Sequence, residues 1–161
     1  MTPINLKTME ELEPQVQRVL DIISGRLGAL LPGAEVHHIG ATSIPDALTK
    51  GDVDVLLRVS ATHFPTVVDL LERHFAVKQR SNWTSEFASF GDDTALELPF
   101  GIQVVVEDAT YDFLLFLRDY FISHPDALAE YNRLKLTHAA EGADSYWKAK
   151  DRFLDDILLS R

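Results

Sequence analysis

The chain has 161 residues, 46% hydrophobic and 25% charged, which is enough apolar content for a packed core and excludes a disordered or low-complexity chain. Its 15 Lys/Arg against 25 Asp/Glu give a formal charge of −10, the wrong sign for a surface that tracks long DNA or RNA, so small ligands fit better and any basic pocket must be local. The lack of cysteine excludes a disulfide framework and thiolate-held zinc or iron–sulfur, and no apolar run approaches the roughly 18 residues that span a bilayer.

The first predicted element is a helix. Val16, Val19, Leu20, Ile23, Leu27 and Leu30 form one apolar stripe. Two starts are open: Pro14 suits a first turn, and Thr8 with Glu11 suits an earlier capping box. The opening segment MTPINLKTMEELEP has no apolar targeting core, so the expected location is the cytoplasm. A short strand, Ala34–Ile39, runs into the turn Gly40-Ala41-Thr42-Ser43. Gly51–Val59 is the next strand by its β-branched content. Pro65–Phe75 reads as a helix.

Ala76–Arg80, Glu86–Phe90, Thr94–Leu98 and Gly101–Val106 are the following candidate strands, with Gly91-Asp92-Asp93 as a hairpin turn. The last third is helical. Phe113, Phe116, Leu117, Tyr120 and Phe121 form one stripe, read as core. Leu128, Tyr131 and Leu134 carry a second. Gly142 breaks the pattern, and Tyr146, Lys150, Phe153, Leu154, Ile157 and Leu158 carry a third. The order predicts an α+β fold in a single domain: a mixed-sheet core over about residues 8–108 and a helical tail over about 110–160.

Two features stand close together. Asp52 and Asp54 are two apart on a strand, so their carboxylates share a face. Such a pair repels unless a cation sits between them, and Mg²⁺ is the usual answer because it takes one or two carboxylates and fills its shell with water and phosphate. The preceding turn offers what a phosphate needs: Gly40 for close backbone approach, free amides, and the Thr42 and Ser43 hydroxyls. Together they suit a metal–triphosphate. Lys50, just before the acids, can offset their charge or touch phosphate. Arg118, Lys135 and Lys150 read as members of a solvated face. Trp83 and Trp147 read as core or rim packing.

These blocks carry a family resemblance. His38-Ile39-Gly40-Ala41-Thr42-Ser43-Ile44-Pro45 and Lys50-Gly51-Asp52-Val53-Asp54-Val55 look like the signature of GrpB-like proteins, a branch of the nucleotidyltransferase superfamily. The later segments Phe116–Tyr120, His124-Pro125, Tyr131, Leu134-Lys135 and Tyr146–Lys150 with Phe153 extend the match over nearly the whole chain after the first helix.

The resemblance implies a polymerase-β-like core with an N-terminal helix and a C-terminal helical segment. It implies an NTP substrate held at Gly40, Ala41, Thr42 and Ser43, and Mg²⁺ held by Asp52 and Asp54. It also implies a third acid on a neighbouring strand, and it points His38 toward the site. Ala41 stands where the family usually has serine. Gln103 stands where it commonly has histidine, and an amide cannot serve as a base. Glu97 is the candidate third acid, and its place in the fold discriminates between two functions. One is nucleotidyl transfer from an NTP to a small-molecule or protein acceptor. The other is a non-catalytic nucleotide-binding or interaction module. A metal-dependent phosphohydrolase using the same acids and a water is a third. Neither a membrane nor a long nucleic acid is expected as partner, and the oligomeric state is not written in the sequence.

Overall fold

The computed structural model describes residues 4–161. Residues 1–3, part of the segment read as lacking a leader, lie outside the described residues. Helix α1 spans Met9–Leu30 and takes the earlier of the two starts. Thr8 accepts from the Glu11 amide at 3.4 Å, and Glu11 accepts from the Thr8 amide at 3.2 Å, a reciprocal capping box. Pro14 therefore sits inside the helix, on an exposed stretch where water can serve the carbonyl it leaves unbonded. Leu12, Val16, Val19, Ile23 and Leu27 form its buried face.

Four strands follow: β1 (Glu35–Ile39), β2 (Val53–Val59), β3 (Phe87–Asp92) and β4 (Phe100–Val106). They form one sheet in the order β1-β2-β4-β3, with β2 and β4 parallel and both outer pairs antiparallel. The path from β2 to its parallel neighbour includes helix α2 (Phe64–Glu72). Val53, Val55 and Leu57 of β2 and Phe100, Ile102 and Val104 of β4 pack with α1 and α2 in one core. The alternating residues Asp54, Leu56 and Arg58, with Gly101, Gln103 and Val105, face the other way. Leu114 and Leu115 of α3 (Leu114–Ser123) cover only part of that second face, over Ile39, Leu56 and Val105.

Helices α4 (Pro125–Ala139) and α5 (Ala143–Leu159) complete the chain. With α3 they build a second apolar cluster around Ile44, Ala47, Leu117, Phe121, Leu128 and Ile157. Tyr131 stacks between Phe121 and Phe153, with ring centroids 4.9 and 5.1 Å away. Helix α4 also grips the irregular loop before β2. Asn132 donates to Asp46 O at 2.9 Å and accepts from the Leu48 amide at 3.0 Å, and Lys135 donates to Leu48 O at 2.6 Å. In the α3 stripe Leu117 and Phe121 are buried, but Phe116 stands 36% exposed, so the stripe is only partly core.

Two expected strands are absent. Ala76–Arg80 contributes a single bridge, Val77 to Phe90, before a 3-10 turn at Arg80–Asn82. Thr94–Leu98 bends away because Asp92 accepts from the amides of Thr94 and Ala95, both at 2.8 Å. Gly91 and Asp92 do not turn. They continue β3, paired with Gly101 and Phe100, and a side chain at Gly91 would collide with the Phe100 carbonyl. Among the described residues no helix is long and apolar enough to cross a membrane.

Candidate functional site

The uncovered part of the second sheet face is the floor of a cleft of about 430 Å³ lined by Asp52, Asp54, Gln103 and Gly101 from the sheet side. The two acids converge here because Asp54 lies in β2 and Asp52 leads into it on the same face. Asp54 makes no hydrogen bond or ion pair with another described residue. Burial first, and the Asp52 charge second, push its carboxyl up to about 6.

Glycine frames this carboxylate on two sides. Gly40 has φ +76°, a left-handed conformation, and a Cβ there would stand 2.9 Å from Asp54 Oδ2. A Cβ at Gly101, the β4 neighbour of Asp54, would stand 2.7 Å from Oδ1. Two glycines thus leave the oxygens accessible at the bottom of the cleft.

The turn after β1 is a single 3-10 turn, Ala41–Ser43. Its hydroxyls are turned inward, contrary to the expectation that they face phosphate. Ser43 Oγ donates to Gly40 O at 2.6 Å, and the buried Thr42 donates to Asp52 O at 3.0 Å. The groups the turn can offer an anion are backbone amides: those of Ala41 and Thr42 have no backbone partner among the described residues. Ala41 lines the cleft, and its methyl packs on the helical cluster.

His38 does not reach the acids. Its register partner is Val55, so it points to the α1 side of the sheet. There Nε2 lies 2.9 Å from Thr42 Oγ1, and because that hydroxyl already donates to Asp52 O, the ring donates. The chain His38–Thr42–Asp52 carbonyl fixes the turn against the start of β2. Burial, with Arg118 second, drops the His38 ring to about 4, so it stays neutral near pH 7. Glu97 is not brought to the cleft either. It is an exposed partner of Arg18 on α1 at 2.9 Å, because the segment expected as its strand bends away. Gln103 remains as the third sheet residue beside the acids, paired in register with Leu56. Among the described residues no three or more His, Asp or Glu gather as a metal site.

Lysines line the other walls. Lys50 lies 3.7 Å from Asp52 Oδ2 and 4.4 Å from the Trp147 ring centre. Lys150 approaches the same ring at 4.7 Å. Lys78 pairs with Asp93 at 3.2 Å on the rim. Lys135, expected on a solvated face, is 2% exposed, with its ammonium on Leu48 O and 4.3 Å over the Tyr131 ring. Burial first, then Lys150 and Lys50, lower Lys135 to about 7, and burial with Lys50 lowers Lys150 as well. All four lysines line the cleft, so a chain of net charge −10 keeps a local concentration of cations.

Lys78, Lys135 and Lys150 were not singled out as site residues from the sequence. A signal existed for two of them. Lys135 stands four residues beyond Tyr131 and Lys150 four beyond Tyr146, so both interrupt apolar stripes, where a lysine is costly to bury without a purpose. Arg118 pairs with Asp119 at 2.9 Å, as the solvated reading expects, and also donates to His38 O at 3.1 Å. Trp83 packs edge-on against Phe90, while Trp147 is the 41% exposed rim of the cleft.

The family model described as GrpB protein matches residues 6–159. A UPF0157 protein of Vibrio cholerae is 31% identical over 133 residues, covering 82% of this chain and 70% of its own length. One of Halalkalibacterium halodurans is 26% identical over 159 residues, covering 94% and 80%. The crystal structure of GrpB from Enterococcus faecalis superposes with a TM-score of 0.65 at 20% identity, over 90% of this chain and 96% of that one. The Cid1 poly(U) polymerase with MgGTP bound superposes at 0.56 and 13% identity, over 81% of this chain and 42% of its own length, a likeness of fold. The α+β sheet is therefore of the nucleotidyltransferase, polymerase-β-like kind.

Proposed function

We propose that this chain, a member of the GrpB family, is a magnesium-dependent nucleotidyltransferase that moves a nucleotidyl group from an NTP to a small-molecule or protein acceptor. One observation carries the reading: the unpaired Asp54 carboxylate, beside Asp52, lies at the bottom of a cleft walled by four lysines. Asp52 and Asp54 would hold Mg²⁺, and two carboxylates suffice because phosphate oxygens and water complete its shell. Bound there, the metal would supply charge neutralisation on the phosphates. The Cid1 structure with MgGTP supports this by likeness of fold.

The chain's own groups account for the rest. Lys50, Lys78, Lys135 and Lys150 would take the triphosphate charge, and the Ala41 and Thr42 amides would donate to its oxygens. The acceptor hydroxyl attacks the α-phosphorus in line. A new O–P bond forms, the bond to the bridging oxygen breaks with its electron pair on pyrophosphate, and the hydroxyl proton passes to water in the open cleft. Gln103 can orient an acceptor by hydrogen bonding.

The placement of Glu97 on Arg18 favours a second reading, a nucleotide-binding module without catalysis, because it leaves the site with two acids. Calorimetric titration of each NTP with and without Mg²⁺, alongside an Asp52→Asn/Asp54→Asn double variant and a pyrophosphate-release assay, separates them. The transfer reading expects metal-dependent binding, weakened about a hundredfold or more in the variant, and pyrophosphate release once an acceptor is present. Binding without release across an acceptor screen establishes the module. No binding of any NTP removes both.

A further inference from the structure

A second, smaller cavity of about 150 Å³ opens beside the lysine cleft. Its mouth is shared with the cleft: Gly40, Ala41, Asp54, Gln103, Lys135 and Lys150 line both. Its interior is different in kind. Ile44, Ala47, Leu117, Phe121, Leu128 and Leu154 form most of its wall, with Arg118 and Tyr131 also in the lining. Its apolar wall is large enough to seat a benzene-sized body.

We infer that this slot holds the apolar, ring-sized body of the acceptor, an alcohol whose hydroxyl is presented at the mouth between Gln103 and Asp54. The inference rests on the transfer reading above and names its acceptor class. Two residues at the mouth fit this reading. Serine at position 41 would place a hydroxyl where the Ala41 methyl packs on the helical cluster, so alanine keeps that side of the mouth apolar. A histidine at 103 could exchange a proton, whereas the Gln103 amide, which makes no hydrogen bond with another described residue, can both donate to and accept from an alcohol. The other occupant of comparable size is the nucleobase. Its polar edges would meet mainly apolar side chains and keep few of their hydrogen bonds, because Arg118 and Lys135 at the slot already donate to His38 O and Leu48 O. An alcohol with an apolar body loses none.

The test is methyl NMR of the full chain with benzyl alcohol as the probe and glycerol as a polar control. The inference expects benzyl alcohol to shift the methyl signals of Ile44, Leu117 and Leu128, and glycerol to leave them. Ala47→Leu, which fills the slot, should weaken benzyl alcohol at least tenfold. Should that variant fail to fold by circular dichroism, Leu128→Ala decides, because it enlarges the slot and should admit 2-naphthylmethanol, which the unaltered chain rejects. Adding Mg²⁺ with a non-hydrolysable ATP analogue separates this inference from its premise. Alcohol in the slot but no analogue bound removes the transfer reading and leaves the apolar-alcohol site standing. Analogue bound with its adenine protons against Leu117 and Leu128 assigns the slot to the base and overturns the acceptor class. No methyl shift from benzyl alcohol, with or without the analogue, overturns it too.

Discussion

Strand β2 carries two charged residues on one face, Asp54 and Arg58, and the protein treats them in opposite ways. Arg58 is saturated. Its guanidinium donates to both oxygens of Asp112, the closest at 2.8 Å, to Glu35 at 3.1 Å and to Asp108 at 3.4 Å. The Asp112 carboxylate, 3% exposed, also accepts from the Asp108 amide at 2.7 Å. Donation to the Asp112 carboxylate is the main reason the guanidinium is held even further above its usual range, and the network ties the start of α3 to the sheet. Asp54 faces the cleft, with a like charge beside it and lysines beyond hydrogen-bond reach. Both groups sit on the same backbone, four residues apart, so sheet geometry does not separate them. Partners do. A charge whose donors and acceptors are all used holds structure together, and a charge left without them is free to bind something else.

The largest expected effect breaks the saturated end. Asp112→Ala leaves Arg58 partly buried without its principal partner and should cost about 3 kcal/mol in urea unfolding, with nucleotide binding measured separately at the far end of the strand.

The opposite sign is expected at the other end. Asp54 stands at about 6 in the folded chain against an ordinary 3.8, so above pH 6 its charge opposes folding. Asp54→Asn should therefore raise stability by on the order of 2 kcal/mol above pH 6 without metal. The gain should shrink as the pH falls from 6 toward 4 and vanish below, where the carboxyl of the unaltered chain is protonated in both states. A pH series of unfolding midpoints reads this directly, and a constant difference at all pH values would refute the assignment.

The smallest effect sharpens the contrast. Gly40→Ala forces a left-handed alanine against the Asp54 carboxylate and should cost about 1 kcal/mol, while weakening Mg²⁺-dependent NTP binding more than the loss of stability implies. Differential scanning fluorimetry beside calorimetry separates the two losses.

What the sequence made legible was local. The turn at Gly40 and the pair Asp52 and Asp54 lie within fifteen residues, and strand periodicity alone puts the two acids on one face. The capping box at Thr8 and Glu11 was legible for the same reason. His38 shows the limit: alternation separates it from His37, but only the pairing with Val55 decides that it faces α1. Glu97 was misplaced because Thr94–Leu98 alternates like a strand, while the Asp92 carboxylate captures the amides that would have paired. The lysines were hidden by distance. Lys135 and Lys150 line the cleft from α4 and α5 only through the packing of Ile44 and Ala47 against Leu117, Leu128 and Ile157, which no short-range pattern encodes.

The grip of Asn132 and Lys135 on the loop from Asp46 to Leu48 has a consequence for how the site comes into being during folding. The acids belong to the sheet, and two of the four cations belong to the last two helices. A chain whose sheet had formed ahead of those helices would show a polyphosphate two carboxylates and half the countercharge, and would repel it. The same clasp that sets the spacing between turn and strand delivers the missing ammonium groups. On the proposed reading, competence to bind an anion would then depend on the docking of these helices, and a chain lacking them would gain no ligand.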